Sequence, residues 1–527
     1  MRAVRRLAAE HQAAEQLGIE PAELRGERIS RRELARRGGM AAAALALPAA
    51  LARPARSATA PRIAIVGAGI AGLNGALTLA DAGYASTLYE ASTDRVGGRM
   101  HSDTSGYWDK GQVSEFCGEL IDTGHKTIRR LARRFNLQTD DLLAAEPAGS
   151  SDTYYFFGSS YPVAQADNDF QQISQTLKSQ LKAAGYPTTY ASSTPTGQML
   201  DHISVYDWIE RYVPGGHSSR LGRLLDAAYT EEYGADTTDQ ASLNLLYLLA
   251  YQRNGVGFSI FGQSDERFHI SGGNQQLPEA IANYLGRQTI NMGWALQSIK
   301  TTASGVALTF ATPGRARTVV ADHVILCMSF SVLRTLDYSG ANFDNLKKTA
   351  IAQLGSGHNS KLQLQFTSRL WNAQGSNGNV YSDNGFQNAW DVSRAQSGST
   401  GILVDYGGGS YADSFSPSTA YSNASENPQV TKYARAWLKQ LEPIFPGIKA
   451  QWNGKATLST PFLDPLLNCS YSYWRVGQYT AFSGYEGVPQ GAVHFAGEHC
   501  SQDFQGYMEG GASEGARAAN EILALLR

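Results

Sequence analysis

The chain has 527 residues and a formal net charge of −2, so we expect no nucleic-acid partner, which would require a concentrated basic face. Hydrophobic residues make up 42% and charged residues 17% of the chain, with 54 glycines, and this excludes a disordered or coiled-coil protein. The length exceeds what a single hydrophobic core usually serves, so two domains are expected.

The N-terminal segment, residues 1–60, contains a pattern that is typical of a targeting signal. Arg31 and Arg32 precede a short, alanine-rich apolar run over residues 40–51, and a polar stretch follows. This order is typical of a twin-arginine export signal, and the run is shorter than the roughly 20 residues that span a bilayer. An alanine-rich amphipathic helix is the alternative. We therefore expect export to the periplasm or the exterior, without stable membrane insertion.

The first strong motif combines a strand, a glycine-rich turn and a helix. The buried strand Ile63–Val66 enters a G-x-G-x-x-G turn formed by Gly67, Gly69 and Gly72, and a helical stretch follows. Gly67 permits the tight turn, Gly69 lets a pyrophosphate approach the backbone, and Gly72 lets the helix pack on the sheet. The helix N-terminus offers free N–H groups to phosphates. The pattern predicts a Rossmann-type dinucleotide site.

An acidic residue and a second glycine loop follow this turn. Glu90 ends the second predicted strand, where a carboxylate accepts hydrogen bonds from ribose hydroxyls and repels the 2′-phosphate of NADP. Gly97 and Gly98 form another loop of close approach, and Arg99 supplies a fixed cation for the pyrophosphate. With this Glu-x(6)-Gly-Gly-Arg arrangement, the chain resembles the flavin amine oxidase superfamily, which includes monoamine, polyamine and L-amino acid oxidases.

The C-terminal block resembles the same family. Residues 493–499 and 506–510 are similar to its F-A-G-E-H and G-Y-M-E-G motifs, and we expect a helix from Met508 to Leu526. In the family this block lies beside the pyrophosphate and the ribityl chain, and the helix N-terminus stabilises the anionic reduced flavin. The cofactor contacts that this resemblance implies are Gly497, Glu498, Gly506 and Met508.

Two internal segments complete the resemblance to this family. Residues 268–278 resemble the segment that re-enters the FAD domain, and Leu296 begins a strand whose backbone contacts adenine in the family. The implied fold class is α/β, with a discontinuous Rossmann-type FAD-binding domain and an inserted α+β substrate-binding domain. The expected parts are 61–125, 265–345 and 470–527 for the FAD-binding domain, then 126–264 (helical) and 346–469 (sheet and loops) for the substrate-binding domain.

A candidate catalytic lysine lies in the second insertion. Lys361 belongs to a segment, residues 360–366, that resembles the family segment whose lysine holds a water near the reactive nitrogen of the flavin. An amphiphilic strand with one exposed lysine is the alternative, because the residues alternate as a strand would. On the resemblance, we expect Lys361 to serve the reaction with oxygen.

Aromatic residues are candidates for the walls of the flavin site. Residues 473–479 resemble the family's W-x-x-x-x-Y segment, so we expect Trp474 in the site and Tyr479 and Tyr507 on either side of the flavin. Core packing is the alternative for both tyrosines. Gln478 takes the position of the cysteine that bonds the flavin covalently in monoamine oxidases, so FAD is expected to bind noncovalently.

The substrate contacts are the least determined part of the site. Amino acid oxidases of the family carry an arginine that binds the substrate carboxylate, but Leu120 stands at that position here. Glu119 or Asp122 would instead attract a cationic group, as acidic residues near this position do in polyamine oxidases; a surface or helix-capping role is the alternative. Further candidate substrate contacts are Trp390, Arg475 and Gly506.

The cysteines indicate no metal site. Cys117, Cys327, Cys469 and Cys500 are far apart and form no C-x-x-C pair, so neither zinc nor another metal is expected. Buried thiols are the preferred interpretation, and one disulfide remains open.

The resemblance implies an FAD-dependent oxidase. We expect it to convert an L-amino acid, with a broad range or a large or basic side chain, into an imino acid and then a 2-oxo acid and ammonia, while O2 becomes H2O2. A primary amine or polyamine oxidase is the first alternative, favoured by Leu120. A flavin dehydrogenase with another electron acceptor is the second. A homo-oligomer, most simply a dimer, is also expected.

Overall fold

The computed structural model describes residues 60–253 and 257–526. The predicted export signal lies outside this range and stays a prediction. The α-helices of the described residues are Ile70–Asp81, Lys126–Arg134, Val163–Ala184, Pro195–Asp201, Val205–Tyr212, Arg220–Tyr233, Ser242–Leu249, Gln276–Leu285, Phe330–Leu333, Asn345–Gln353, Leu370–Ala373, Gly409–Asp413, Pro428–Leu441, Ile448–Gln451, Gln478–Phe482 and Met508–Leu526.

Five parallel strands form a central sheet. Their run of apolar residues suits a sheet covered on both faces, and all four residues of Ile63–Val66 are buried. The strands come from distant parts of the chain, and their spatial order is Val493–Phe495, His323–Leu326, Ile63–Val66, Thr87–Glu90 and Ile290–Met292. The Rossmann-type α/β fold expected from the sequence is confirmed by this sheet, whereas the exact domain boundaries stay predictions.

An eight-stranded sheet carries most of the second insertion. Its strands in spatial order are Tyr421–Asn423, Trp452–Ser459, Asn359–Phe366, Gly401–Gly408, Asn388–Asp391, Ser376–Ser382, Ser151–Phe156 and Ser159–Ser160. A four-stranded sheet contains Arg315–Ala321, Gly305–Thr312, Ala295–Thr302 and Asp337–Gly340. Three strand pairs complete the described strands: Gly355–Ser356 with Ser472–Tyr473, Ser102–Asp103 with Ser114–Glu115, and Thr139–Asp141 with Phe268–Ile270.

The first insertion is mainly helical, as its sequence predicts. Helix Val205–Tyr212 begins after Ser204, whose hydroxyl accepts a hydrogen bond from the backbone N–H of Asp207. Helix Arg220–Tyr233 is capped in the same way by Ser219. These caps satisfy N–H groups that the first turn of a helix leaves free. The helices and the eight-stranded sheet together form the inserted α+β region.

The first and last helices of the described chain cross at glycines. A Cβ on Gly515 would lie 2.0 Å from the carbonyl oxygen of Ala71, and a Cβ on Gly75 would lie 3.1 Å from that of Gly515. Asn74 donates a buried hydrogen bond of 2.7 Å to the carbonyl of Ala512 across the same crossing. The contact therefore holds helices Ile70–Asp81 and Met508–Leu526 at a distance that only glycine permits.

Two further expectations from the sequence concern a possible disulfide and membrane insertion. All four cysteines carry free thiols, so the single disulfide that the sequence leaves open does not form. None of the helices in the described ranges combines the length and the apolar character that crossing a bilayer requires.

Replacing Gly515 by alanine should destabilise the protein. The added methyl group forces the two helices apart, which we expect to lower the free energy of unfolding by about 1–3 kcal/mol, in spite of a gain in helix propensity of about 1 kcal/mol. Denaturant unfolding measures the change. The matched control is Asn520→Ala on the exposed face of the same helix, which should be neutral or slightly stabilising; equal behaviour of the two variants would contradict a close crossing at Gly515.

Candidate active site

A cavity of about 710 Å³ lies at the carboxyl ends of the central-sheet strands. Val66, Glu90, Cys327 and Gly497, which end or follow four of these strands, all line it. Open α/β sheets bind their ligands at this edge, and the volume is in the range of cofactor sites. The cavity continues to the eight-stranded sheet. We call the part around residues 66–99 the nucleotide half and the part around Lys361 the inner half.

The first glycine loop forms one wall of the nucleotide half. Gly67 has a φ of +100°, a backbone conformation that favours glycine. A Cβ on Gly72 would lie 1.9 Å from the Gly67 carbonyl oxygen, so glycine is needed there for close packing, and Gly72 does not line the cavity. A Cβ on Gly69 would meet nothing closer than 4.0 Å. The loop is therefore open at Gly69, where helix Ile70–Asp81 begins, and its N–H groups suit phosphate oxygens.

The second glycine loop faces the first. Gly97 pairs with Gly69 through a single β-bridge, and its N–H donates to the carbonyl of Ala68 at 2.9 Å. Gly98 lines the cavity beside them. Two backbone segments without side chains thus approach each other at the cavity wall, which leaves room for a group such as a pyrophosphate.

Glu90 lies at the end of its strand, as the sequence predicts. Its two carboxylate oxygens accept hydrogen bonds from the backbone N–H of Ala68 at 2.7 Å and of Ser92 at 2.8 Å. Burial raises the pKa of Glu90, although these hydrogen bonds oppose the shift. Leu296, at the start of strand Ala295–Thr302, lines the same half of the cavity and is 7% exposed.

Arg99 and Glu498 join the two ends of the chain in the cavity wall. The Arg99 guanidinium donates to Glu498 at 3.0 Å and to the carbonyl of Ser470 at 2.8 Å. Burial alone raises the pKa of Glu498, but Arg99 and further hydrogen bonds hold it below its usual value. Glu498 also accepts from the backbone N–H of Gly506 at 2.8 Å, which fixes the turn before the last helix.

The last helix begins at the cavity. Gly497 and Gly506 have φ values of +143° and +87°, and both line the cavity with Met508, the first residue of the helix. The N-terminal ends of two helices therefore meet one cavity from opposite ends of the chain. Open glycine loops, a carboxylate for ribose and a second helix N-terminus fit a flavin nucleotide, which would be held by Gly67, Gly69, Glu90, Gly97, Gly98, Arg99, Leu296, Gly497, Glu498, Gly506 and Met508.

Lys361 lies in the inner half and is not exposed. Every residue of strand Asn359–Phe366 is buried, so the alternative of an amphiphilic strand with an exposed lysine is wrong. The Lys361 ammonium donates to Glu119 at 2.6 Å and to the carbonyl of Cys117 at 2.9 Å. The second carboxylate oxygen of Glu119 accepts from the indole N–H of Trp390 at 2.9 Å. The structure thus brings three predicted site residues together.

Two tyrosines, Tyr471 and Tyr507, line the cavity near the start of the last helix. Tyr507 donates to the carboxylate of Glu232 at 2.8 Å. The ring of Tyr471 lies 3.8 Å from the position of a Cβ on Gly506, next to Tyr507, and its hydroxyl lies 2.9 Å from that of Tyr406. All these side chains line the cavity.

Three carboxylates in the inner half have no basic partner within ion-pair distance among the described residues. Burial raises the pKa of Glu232 to about 8 and that of Glu266 to about 7; repulsion from Glu266 adds to the first shift, and repulsion from Asp122 adds to the second. The pKa of Glu231 is also raised by burial. By contrast, Glu146 is paired with Arg394 at 3.2 Å. The inner half therefore holds carboxyls that have no cationic partner in the described protein and that become negatively charged only above their raised pKa values.

Trp474 and Tyr479 also line the cavity. Their rings pack at 5.1 Å, and the Tyr479 hydroxyl donates to Asn244 at 2.9 Å. The ring that the structure places beside Gly506 is that of Tyr471, so a flavin contact for Tyr479 stays a prediction. Gln478 is buried, donates to the carbonyl of Gln353 and does not line the cavity.

Two predicted substrate contacts lie outside the cavity, and these predictions are corrected. Asp122 accepts hydrogen bonds from the Ser264 hydroxyl and the backbone N–H of Glu266, so it serves the loop that precedes the strand at Phe268. The side chain of Arg475 is 50% exposed and pairs with Asp239 at 3.3 Å. Both side chains have local partners, and neither lines the cavity.

Sequence reasoning missed several residues of the inner half, which are Glu231, Glu232, Glu266, Tyr406 and Tyr471. One signal was present: helix Arg220–Tyr233 carries adjacent glutamates among apolar residues near its C-terminal end, where one of the two must face inward. Tyr471 lay two residues outside the segment chosen for its family pattern. The remaining residues converge only through the fold.

Comparison with known proteins agrees with this geometry. The family model described as flavin containing amine oxidoreductase matches residues 70–523. An L-amino-acid oxidase of Demansia vestigiata is 23% identical over 495 residues, 88% of this chain and 86% of the relative. Polyamine oxidase 1 of Zea mays is 23% identical over 514 residues, 92% of this chain and 95% of the relative.

A solved structure shares the fold. Cyclohexylamine oxidase from Brevibacterium oxydans IH-35A superposes with a TM-score of 0.74 at 22% identity, covering 89% of this chain and 99% of the other. The match to the family model spans the helix after the first glycine loop, the Lys361 strand and most of the last helix, and the cavity that these elements build suits a flavin. The chain therefore belongs to the flavin-containing amine oxidoreductases.

Proposed function

We propose that the protein is an FAD-dependent oxidase that converts an L-amino acid, preferably with a basic or large side chain, into an imino acid. The imino acid then hydrolyses to a 2-oxo acid and ammonia, and O2 becomes H2O2. The observation that carries the proposal is the continuity of one cavity from Glu90 to Lys361, with unneutralised carboxylates at the inner end. The L-amino-acid oxidase among the relatives supports the amino acid branch.

A bound flavin would supply the two-electron oxidation of the carbon–nitrogen bond. The protein side chains have other tasks. Tyr471 and Tyr507 would form aromatic walls for the amine, and Lys361 lies at the cavity wall. In their ionised forms, Glu232 and Glu266 would attract a positively charged substrate. For an amino acid, the cations that line the inner half and could contact the carboxylate are Arg253, Lys361 and Arg394.

FAD is proposed rather than a shorter flavin because the cavity includes the ribose-type carboxylate Glu90 and the adenine-side residue Leu296. We further propose that FAD is bound noncovalently. The cysteines that line the cavity are Cys117 and Cys327, and burial raises the pKa of both thiols, which disfavours a nucleophilic thiolate. Noncovalent binding is thus supported by these thiols and not by Gln478, which lies away from the cavity.

Acid treatment of the purified protein should release its flavin. We expect a yellow protein whose colour passes entirely into the supernatant on acid precipitation, with FAD identified there by mass. Cys117→Ser and Cys327→Ser variants serve as controls and should retain the same flavin content. Flavin that remains with the precipitated wild type but not with one of these variants would contradict noncovalent binding.

A second candidate substrate class is favoured by specific observations. Leu120 lines the cavity at the position of the family's carboxylate contact and Arg475 lies outside it, which leaves Arg253 and Arg394 as the arginines of the inner half. Arg394 is already paired with Glu146. A diamine or polyamine would need no carboxylate contact and would place its second ammonium group near the unneutralised glutamates. Primary amine or polyamine oxidation is therefore the alternative proposal.

Peroxide formation on a panel of L-amino acids, diamines and polyamines separates these classes. Turnover of basic L-amino acids supports the first proposal, and turnover of diamines or polyamines alone supports the second. Reduction of a dye without oxygen consumption would contradict both and indicate a dehydrogenase.

The preference for a second positive charge should depend on pH. L-lysine and L-norleucine share the reacting amine, so their ratio of kcat/KM isolates the second ammonium group. We expect this ratio to rise from about pH 6 to about pH 9. The carboxyls of Glu232 and Glu266 have raised pKa values, and each is neutral at a pH below its pKa and charged at a pH above it. Diaminopentane and pentylamine give the same comparison if amino acids are not substrates.

The Glu232→Gln variant tests the source of that preference. Loss of one carboxylate should lower the ratio by about tenfold at high pH and by less at low pH, because a charged hydrogen bond is lost only where Glu232 is ionised. Glu426→Gln, at an exposed position, is the control. A ratio that Glu232→Gln leaves unchanged at every pH would refute this role.

We also propose export by the twin-arginine route, which carries folded proteins and so suits one that acquires its cofactor first. Changing Arg31 and Arg32 together to lysine should retain the flavin-loaded protein in the cytoplasm, measured by fractionation and immunoblotting. Export of this variant at the wild-type level would contradict the proposal. The expected homodimer stays a prediction that light scattering of the purified protein tests.

A further inference from the structure

The pair formed by Lys361 and Glu119 is unusual in its burial. Only 7% of the lysine side chain and 6% of the glutamate side chain are exposed, and their charged atoms lie 2.6 Å apart. Burial alone raises the pKa of Glu119, but the lysine and two hydrogen bonds bring it below its usual value, so the carboxylate is charged. A lone charge in this position would be costly, so the two ions depend on each other.

The contacts of this pair leave little freedom. Lys361 uses two of its three N–H donors, on Glu119 and on the carbonyl of Cys117. Glu119 uses one oxygen on Lys361 and the other on Trp390. The ammonium group also lies 5.4 Å from the ring centre of Trp390 and 5.9 Å from that of Tyr406. One N–H of Lys361 remains for a molecule in the cavity.

We propose that Glu119 is a positioning residue for Lys361 rather than a contact for the substrate: it holds the lysine as an ammonium ion with a single N–H directed to the cavity. This inference rests on the proposed oxidase function. The positive charge then stabilises negative charge that develops on oxygen as O2 is reduced. The sequence predicts Glu119 as a substrate contact. In the structure, however, each of its two oxygens already accepts a hydrogen bond from a protein donor.

Charged and titratable groups around the pair do not replace Glu119. Cys117 and Tyr406 have pKa values raised by burial and are neutral, and Glu266 contacts neither Lys361 nor its carbonyl partner in the structure. His269 is paired with Glu115 at 2.8 Å. Without the Glu119 carboxylate, the buried ammonium would therefore lose its proton more readily as pH rises.

The reaction with oxygen tests the proposal without knowledge of the substrate. Bound flavin in the holoenzyme is reduced with dithionite, mixed with O2 and followed by absorbance at several pH values. We expect a wild-type rate that changes little with pH. In Glu119→Gln the rate should fall as pH rises, by up to about tenfold per pH unit, as for the loss of one proton. Lys361→Met should be slow at every pH.

Two further variants supply the controls for the oxygen reaction. Glu119→Asp retains the carboxylate and should restore most of the pH independence. Glu146→Gln removes another carboxylate of the cavity wall, half-buried and paired with Arg394, and should leave the pH profile of reoxidation as in the wild type. A wild-type profile in Glu119→Gln, or a change only in the KM for the amine, would overturn the proposal.

A thermal unfolding cycle gives a readout that does not depend on turnover. Glu119→Gln and Lys361→Met should each lower the melting temperature of the holoenzyme by about 3 °C or more, because each leaves a buried group without its partner. The double variant should be more stable than the sum of the two losses predicts. Additive losses would show that the two residues act independently and would overturn the proposal.

These outcomes remain distinct from failure of the proposed function. If no amine on the panel reduces the flavin, the oxidase assignment fails, while the dithionite experiment and the unfolding cycle still decide whether Glu119 positions Lys361.

Discussion

The crossing of helices Ile70–Asp81 and Met508–Leu526 is the packing contact on which the cofactor cavity depends. Gly75 and Gly515 allow backbones from opposite ends of the chain to approach within a distance that a methyl group would fill. Because each helix begins at the cavity, the crossing also sets the distance between two helix N-termini. Each such terminus presents free N–H groups and a partial positive charge, so the binding of an anionic nucleotide depends on a contact outside the cavity.

The same constraint explains why the wall of the nucleotide half is made of residues from distant parts of the sequence. Arg99 follows the second glycine loop, whereas Glu498 precedes the last helix, and their ion pair of 3.0 Å closes the wall between them. Glu498 in turn accepts from Gly506 and from the Ser472 hydroxyl. Glu498 is buried and both of its oxygens accept hydrogen bonds, which is the condition under which a buried charge is tolerated, whereas Arg99 stays partly exposed.

The nucleotide half could be predicted from sequence because its physics is local. A glycine turn, a strand end and a helix start act within a few residues, so Gly67, Glu90 and Met508 lie where their motifs predict. The inner half depends on contacts between distant residues. Glu231 and Glu232 belong to a helix that has no motif, and the position of Tyr471 beside Gly506 depends on the tertiary fold. Arg475 carries a charge of the right kind, but its own partner, Asp239, keeps it outside.

Burial alone does not reveal what a carboxylate in this cavity does, whereas its partners do. Glu119 is charged because Lys361 and Trp390 each bind one of its oxygens, so its charge is already balanced within the protein. Glu232 and Glu266 lack a cation, and burial raises their pKa values toward neutrality. A cationic substrate would stabilise the ionised form of these two carboxyls, so its binding would release protons. This follows because a ligand that binds one protonation state more tightly shifts the equilibrium toward that state. Binding of a cation in the inner half is therefore coupled to the loss of protons from these carboxyls. The coupling arises because the protein supplies no cation of its own to keep them ionised.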